Sequence, residues 1–429
     1  MVKSIIISNM LNKFNYISQK PVIYFWAIFS IAFFVRLVFL FIFDGFDRNL
    51  SGDEGAYHER AVQIVSGDFL GSSERPPLLG VLIAPIYLIT DNNPIYARLL
   101  VVFVSSLSAS CLFVFANLFI NRYSVSVCCA LIWVFYPPSI WYSTWILTES
   151  LSSLLIILLA IYIYKFINKT SYYNALFCGI FFGLLAINRT VYLFLPVFVL
   201  LFWIGYLCLF KRSFNLLKYN LNIMLLGLIA FLIILSPWVA HNMILHGQFI
   251  PHSTQGGHLL LVSNGMLDNS DVKSGKYTKD ILNIPALINE GSLNSYEFDL
   301  IKREIALNTM KTHISDLPEP VVNRVKNFWT SRPDPYDSVW TINDSIMAII
   351  WTPIMIFFII GICSIPIRVT LPILLVILYA CFMVIPFWGS PRFRFPVDAL
   401  IIVTAFLGVL RTNIFGWNDY MVMWSLDNE

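Results

Sequence analysis

The sequence predicts an all-α, polytopic membrane protein of about ten transmembrane helices. One short interfacial or re-entrant helix and one large extracytoplasmic loop complete the expectation. Three observations predict it. Of 429 residues, 58% are hydrophobic and 12% charged, with mean hydropathy +0.73; a soluble domain averages about 45–50% apolar and about 25% charged. The apolar residues come in runs of about 20, the length that crosses hydrocarbon. Lys and Arg fall between alternate runs, as membrane topology requires.

Runs at 22–43, 95–120, 147–167, 191–210, 222–242, 343–362 and 369–388 are long enough to span. Shorter candidates are 125–140, 174–188 and 397–412. Segment 78–90 is apolar but short and follows Pro76-Pro77, so it reads as the interfacial or re-entrant helix. The first twenty residues carry Lys3, Lys13 and Lys20 without an acid, which places the N-terminus in the cytoplasm. Ten spans counted from there put Arg122, Lys165, Lys169, Lys211, Arg212, Lys218, Arg368 and Arg411 on that same side. Counting 78–90 as a span would move Lys211, Arg212 and Lys218 outside. The first run is long enough to span and lacks an Ala-x-Ala exit, so no cleavable signal peptide is expected.

Three parts follow: an N-terminal transmembrane module over 1–242, an extracytoplasmic loop over 243–342, and C-terminal helices with a cytoplasmic tail over 343–429. In the first outer loop, 44–77, residues 53–66 suit an interfacial helix with Ala56, Tyr57, Ala61, Ile64 and Val65 on one face. In the large loop, Pro251 to His258 is turn-rich and reads as a loop near a ligand. Residues 294–314 read as an amphipathic helix with a stripe of Phe298, Ile301, Ile305 and Met310. Asn294 and Glu297 start it and Asp316-Leu317-Pro318 ends it.

The net charge of +3 and the lack of a Lys/Arg cluster exclude a nucleic-acid partner. The seven cysteines lie in or beside apolar runs and read as buried hydrophobes, not as a disulfide framework or a zinc site. No phosphate-loop or dinucleotide glycine signature occurs.

The predicted topology gathers the ionisable residues at the external face: Asp53, Glu54, Glu74, Arg75, Glu149, Arg189, His241, His252, His258, Arg392 and Arg394. Charges at a membrane boundary are costly and mark function more often than solubility. Adjacent on the chain, Asp53 and Glu54 point in different directions, and both are candidate catalytic residues. A partly desolvated carboxylate suits a general base; Asp53 as a helix cap is the competing reading. Arg75, fixed before Pro76-Pro77, suits a phosphate, or it snorkels beside Glu74. Glu149 opens a span, where the helix dipole favours an anion. Arg189 ends an apolar run with no acid nearby in sequence. Arg392 and Arg394 stand among aromatics and prolines, where lipid headgroups are an alternative partner. Arg75, Glu149, Arg189, His258, Arg392 and Arg394 are the candidate substrate-binding residues, and Glu74 is a candidate metal ligand. No cofactor is required by these residues, and a divalent metal stays open.

Asp53-Glu54 after the first span, Arg75-Pro76-Pro77 before a short helix, Pro237-Trp238-x-x-x-Asn242 at the large loop and Pro391-Arg392-Phe393-Arg394-Phe395-Pro396 late in the chain form an ordered set. In this order and spacing the chain resembles GT-C fold glycosyltransferases. It is most similar to the family-39-like group of protein O-mannosyltransferases and the aminoarabinose transferase acting on lipid A. The resemblance implies transfer of a sugar from a polyprenyl-phosphate donor to a lipid, glycan or protein acceptor outside the cytoplasm, usually with inversion. It implies Asp53 as the base and Arg75 on the carrier phosphate, helped by Arg189 and Arg392. Some relatives carry Asp where Glu149 aligns, and metal dependence varies among them. The rival class is a transporter or flippase of a lipid-linked or anionic substrate. Charges at span ends and the lack of two related halves favour the enzyme.

Overall fold

A computed structural model describes residues 21–412, apart from 46–47, 69–70, 207, 209–213, 279, 281–294, 338 and 365–366. Lys3, Lys13, Lys20, Lys211, Arg212 and Asn294 lie outside the described residues, as do the side chains of Lys218 and Arg368. Every regular element among the described residues is a helix. The first half contains α1 (Pro21–Asp44), α2 (Asp53–Val65), α3 (Leu78–Tyr87), α4 (Pro94–Ile120), α5 (Tyr123–Phe135), α6 (Pro137–Trp141), α7 (Thr148–Asn168), α8 (Tyr172–Asn188) and α9 (Leu195–Tyr206). The second half contains α10 (Phe214–His246), α11 (Gly256–Asn264), α12 (Ser270–Lys273), α13 (Ser295–Thr312), α14 (Pro318–Trp329), α15 (Ile342–Ser364), α16 (Ile367–Met383) and α17 (Pro391–Thr412).

Among the described residues, six helices are long and apolar enough to cross a membrane: α1, α4, α7, most of α10, α15 and α17. This is the pattern of a multi-pass membrane protein. Helices α3, α5, α8 and α9 and the later part of α16 are apolar but shorter, so the expected spans at 191–210 and 369–388 fall in this second group. Helix α17 begins six residues before the run read from hydropathy. Pro391 takes its first position, where a missing N–H is harmless. The Arg392–Pro396 stretch is therefore the opening of a helix, not a loop. In the large loop, the turn-rich stretch runs into α11, and Pro318 opens α14 instead of only ending a helix.

Close helix contact is bought with glycine. A Cβ on Gly179 of α8 would lie 1.9 Å from the Gly227 carbonyl of α10, and one on Gly408 of α17 would lie 1.9 Å from the Phe357 carbonyl of α15. Backbones can approach this way only where side chains are absent. Helices α4, α5, α7 and α17 surround a core with Phe115, Trp133, Ile157 and Ile401 fully buried. Arg36, also fully buried in α1, donates to Ser105 Oγ at 2.8 Å, Ser139 Oγ at 3.2 Å and the Ala32 carbonyl at 3.2 Å. These acceptors offset the cost of a guanidinium inside a span and tie α1 to α4 and α6.

Beyond α10 the chain builds a small core of its own. Leu261, Val262 and Ala306 are packed against Phe298, Ile301, Ile305 and Trp388, which absorbs three members of the expected stripe. Buried Arg324 of α14 donates to the Ile385 carbonyl at 2.8 Å and the Ser263 carbonyl at 2.5 Å. It thereby joins this segment to the approach of α17.

Candidate active site

The site starts at Gly52, whose φ of 55° turns the chain into α2. Asp53 and Glu54 are the first two helical residues and diverge by about 100° around the axis. Asp53 makes no cap bond; the cap position is Gly52. Glu54 is fully buried. Its oxygens accept from Arg48 at 2.5 and 3.0 Å, from the Ile146 N–H at 2.9 Å and from the Ser51 N–H at 3.2 Å. Arg98 stands at 3.8 Å. Arg48 also donates to Asp44 at 2.8 Å and lies over the Trp145 ring, 4.2 Å from its centroid. Both oxygens of Glu54 thus face protein donors, and they fasten α2 to the end of α1 and to the approach of α7.

Asp53 faces the other way. Its side chain is 36% exposed, Oδ1 accepts from Arg75 at 2.9 Å, and Oδ2 accepts from Arg392 at 2.9 Å. Arg75 comes from the loop before α3 and lies over the Tyr57 ring at 5.1 Å. That loop is held by buried Ser73, whose hydroxyl meets His246 Nε2 at 2.7 Å and Thr254 Oγ1 at 2.9 Å and whose carbonyl accepts from Thr254 N–H at 3.0 Å. Arg392 is the second residue of α17, and its Nε donates to Glu149 Oε1 at 2.5 Å. Glu149 is fully buried in the first turn of α7 and also meets Arg189 at 3.4 Å. Arg189, just past α8, rests over Phe393 at 5.6 Å.

A chain of alternating charge results: Arg75, Asp53, Arg392, Glu149, Arg189. Three guanidiniums and two carboxylates give it a formal charge of +1. Burial by itself would raise the Asp53 carboxyl, but Arg392 and Arg75 outweigh it and hold the group below the usual carboxylate range. Burial would lower Arg75, yet Tyr57 and Asp53 hold it above its ordinary value. Such an arrangement can bind an anion and can take a proton once the carboxylate is relieved of its cations.

Five sequence-predicted residues thus meet: Asp53, Arg75, Glu149, Arg189 and Arg392. Others stand elsewhere. Arg394 is 1% exposed, pairs with equally buried Asp398 at 2.9 Å, donates to the Phe328 and Thr330 carbonyls and lies over Trp351 at 3.7 Å. His258 belongs to α11, where its N–H donates to Asp299 Oδ1 at 3.0 Å. Burial and Lys302 lower its pKa, with Asp299 opposing. Glu74 is exposed, and its N–H donates to Ser72 Oγ at 3.2 Å. No group of three His, Cys, Asp or Glu among the described residues is arranged to hold a metal ion.

Arg48 and Arg98 escaped the sequence reading. The signal for Arg48 was present: it lies four residues after Asp44 and six before Glu54. Asn242, which closes the Pro237-Trp238 motif, is fully buried and donates to the Ile250 and His252 carbonyls at 2.8 and 3.1 Å. It shapes the turn that holds Ser73.

No family model and no curated protein matches the chain. Among solved structures, the archaeal oligosaccharyltransferase AglB from Archaeoglobus fulgidus, in complex with an inhibitory peptide and a dolichol-phosphate, superposes with a TM-score of 0.54 at 13% identity. The match covers 91% of this chain and 50% of that one. The apo form of the Archaeoglobus fulgidus oligosaccharyltransferase gives 0.53 at 12% identity over the same shares. ArnT from Cupriavidus metallidurans bound to undecaprenyl phosphate gives 0.41 at 14%, over 92% of this chain and 79% of that one. The chain spans about half the length of the archaeal protein. The likeness to that protein is one of fold alone.

Proposed function

We propose that this chain is an integral-membrane glycosyltransferase. It moves a sugar from a polyprenyl-phosphate carrier to a lipid, glycan or protein acceptor at the extracytoplasmic face, with inversion. The observation that carries the reading is Asp53, a partly exposed carboxylate set between Arg75 and Arg392 at 2.9 Å from each. A base beside cations is what transfer from a lipid phosphate needs, because phosphate leaves with its charge and requires no proton. The positive-inside pattern supports the extracytoplasmic placement. The fold shared with a protein solved with dolichol-phosphate supports the donor class.

In the reaction, the acceptor oxygen attacks the anomeric carbon while Asp53 takes its proton. The bond from that carbon to the phosphate oxygen breaks, and the electron pair leaves with the phosphate. Arg75 and Arg392 receive the charge, with Arg189 behind them. Glu149 holds Arg392 through its Nε, leaving the outer N–H groups for the ligand. Glu54 and Arg48 act as positioning residues that fix the start of α2.

The test uses the full chain in nanodiscs with radiolabelled polyprenyl-phosphate sugars and a membrane extract as acceptor source. Asp53→Asn should cut transfer by roughly 10²–10⁴-fold, the usual contribution of a general base. Near-normal transfer by that variant removes the base assignment.

A further inference from the structure

We infer that Asp53 and the donor phosphate compete for the same N–H groups of Arg75 and Arg392, so that donor binding is what frees the base. This rests on the functional reading above and adds an order to it: donor first, proton transfer second.

The geometry has three parts. Each Asp53 oxygen is matched to one terminal guanidinium nitrogen, and the two arginines come from different elements, the loop before α3 and the start of α17. A phosphodiester presents the same two-oxygen anionic edge, with stronger acceptors. Both arginines are also held by groups other than Asp53. Glu149, buried, grips Arg392 Nε, and Tyr57 lies under Arg75. Removing Asp53 from the pair therefore leaves the cations in place for another anion. Finally, Asp53, Arg75 and Arg392 are 36%, 24% and 36% exposed, so a ligand can reach all three.

A carboxylate gripped by two cations is a poor base. Burial acts against the pairing, and Arg392 and Arg75 prevail. When phosphate takes their N–H groups, Asp53 keeps its partial burial, loses its cations and gains an anionic neighbour. Each change favours protonation, at the moment an acceptor proton must be taken. Among the described residues, the charged and titratable groups that face Asp53 are Arg75 and Arg392, with Tyr57 beside the first and Glu149 behind the second.

Competition has a consequence that simple contact does not. A group that occupies the ligand's cations lowers the apparent affinity of the ligand, so its removal raises that affinity. The dissociation constant of a fluorescent polyprenyl phosphate should be measured on the full chain in nanodiscs. Asp53→Asn should bind it about tenfold more tightly than wild type, equivalent to about 1.4 kcal/mol. Asp53→Ala, which adds no amide donor, should shift the same way. Glu59→Gln, an exposed acid on the same helix, should stay within about twofold, since a charge in water is screened. Arg75→Ala should weaken binding. Equal or weaker binding by both Asp53 variants, with Arg75→Ala still harmful, overturns the competition and leaves the transferase reading intact. A Glu59→Gln effect as large as that of Asp53→Asn overturns it as well. If wild type does not bind the probe, or neither Arg75→Ala nor Arg392→Ala weakens binding, the transferase reading falls and the competition falls with it.

Discussion

Replacing Arg394 with methionine should destabilise the fold while sparing lipid-phosphate binding, although Arg394 stands two residues from Arg392. Arg394 and Asp398 are each 1% exposed and 2.9 Å apart. Without the guanidinium, Asp398 keeps the Tyr136 hydroxyl at 2.8 Å, and the Phe328 and Thr330 carbonyls lose their donor. Removing one partner of a buried pair costs about 3–5 kcal/mol. Even about 3 kcal/mol shifts the folding equilibrium more than a hundredfold. The double variant Arg394→Met with Asp398→Leu removes both charges. What remains is two unsatisfied carbonyls and one hydroxyl, about 1–3 kcal/mol for each group; the single variant loses the same carbonyls and strands a charge besides, so the double variant should be more stable than the single. Tryptophan fluorescence during titration of SDS into detergent micelles gives the midpoints, and polyprenyl-phosphate binding by the folded fraction gives the second readout. A single variant as stable as wild type, or a double variant less stable than the single, refutes the buried-pair account. Folded Arg394→Met that loses lipid-phosphate affinity as fully as Arg392→Ala would make Arg394 a ligand residue.

Glu54→Gln should lower the same SDS midpoint by an amount equivalent to about 1.5–3 kcal/mol, because Arg48 keeps Asp44 but loses its charge-assisted bonds to a fully buried acid, and the carboxylate 3.8 Å from buried Arg98 is gone. Asp53→Asn, whose pairs are partly exposed, should cost about 1 kcal/mol or less; equal costs would contradict the division of labour between the two acids. Asp53 has a folded pKa below its ordinary value, so its stabilising contribution is fully present above that ordinary value and disappears as pH falls through the folded one. The midpoint difference between wild type and Asp53→Asn should therefore be flat from roughly pH 8 to pH 5 and shrink only below about pH 4. A difference that changes around neutral pH would place another titrating group at the pair.

The helical membrane class, α2, α3 and α13 were legible in the sequence, because each follows from local apolar runs and their breakers. Helix α17 was read six residues short. Hydropathy stops at Arg392 and Arg394, whereas a helix can begin at Pro391 and carry those charges once partners from elsewhere neutralise them. Arg394 and Arg392 look alike in sequence, both beside phenylalanine and proline. Two positions apart on a helix, they point about 200° away from each other, and only the neighbours there decide that one is buried on Asp398 and the other reaches Asp53. Asp53 and Glu54 part in the same way. Arg36 offered no signal of its acceptors, since Ser105 and Ser139 lie far along the chain.

What the chain determined by itself was its solvent and its supply of charges. Apolar runs partition into lipid whatever their neighbours, and a charge between such runs is driven to the boundary. Which charges meet was decided by helix packing alone. The arginines that grip Asp53 come from positions 22 and 339 residues away along the chain. An ion pair needs separations of a few ångströms, and periodicity carries no information about distance between helices.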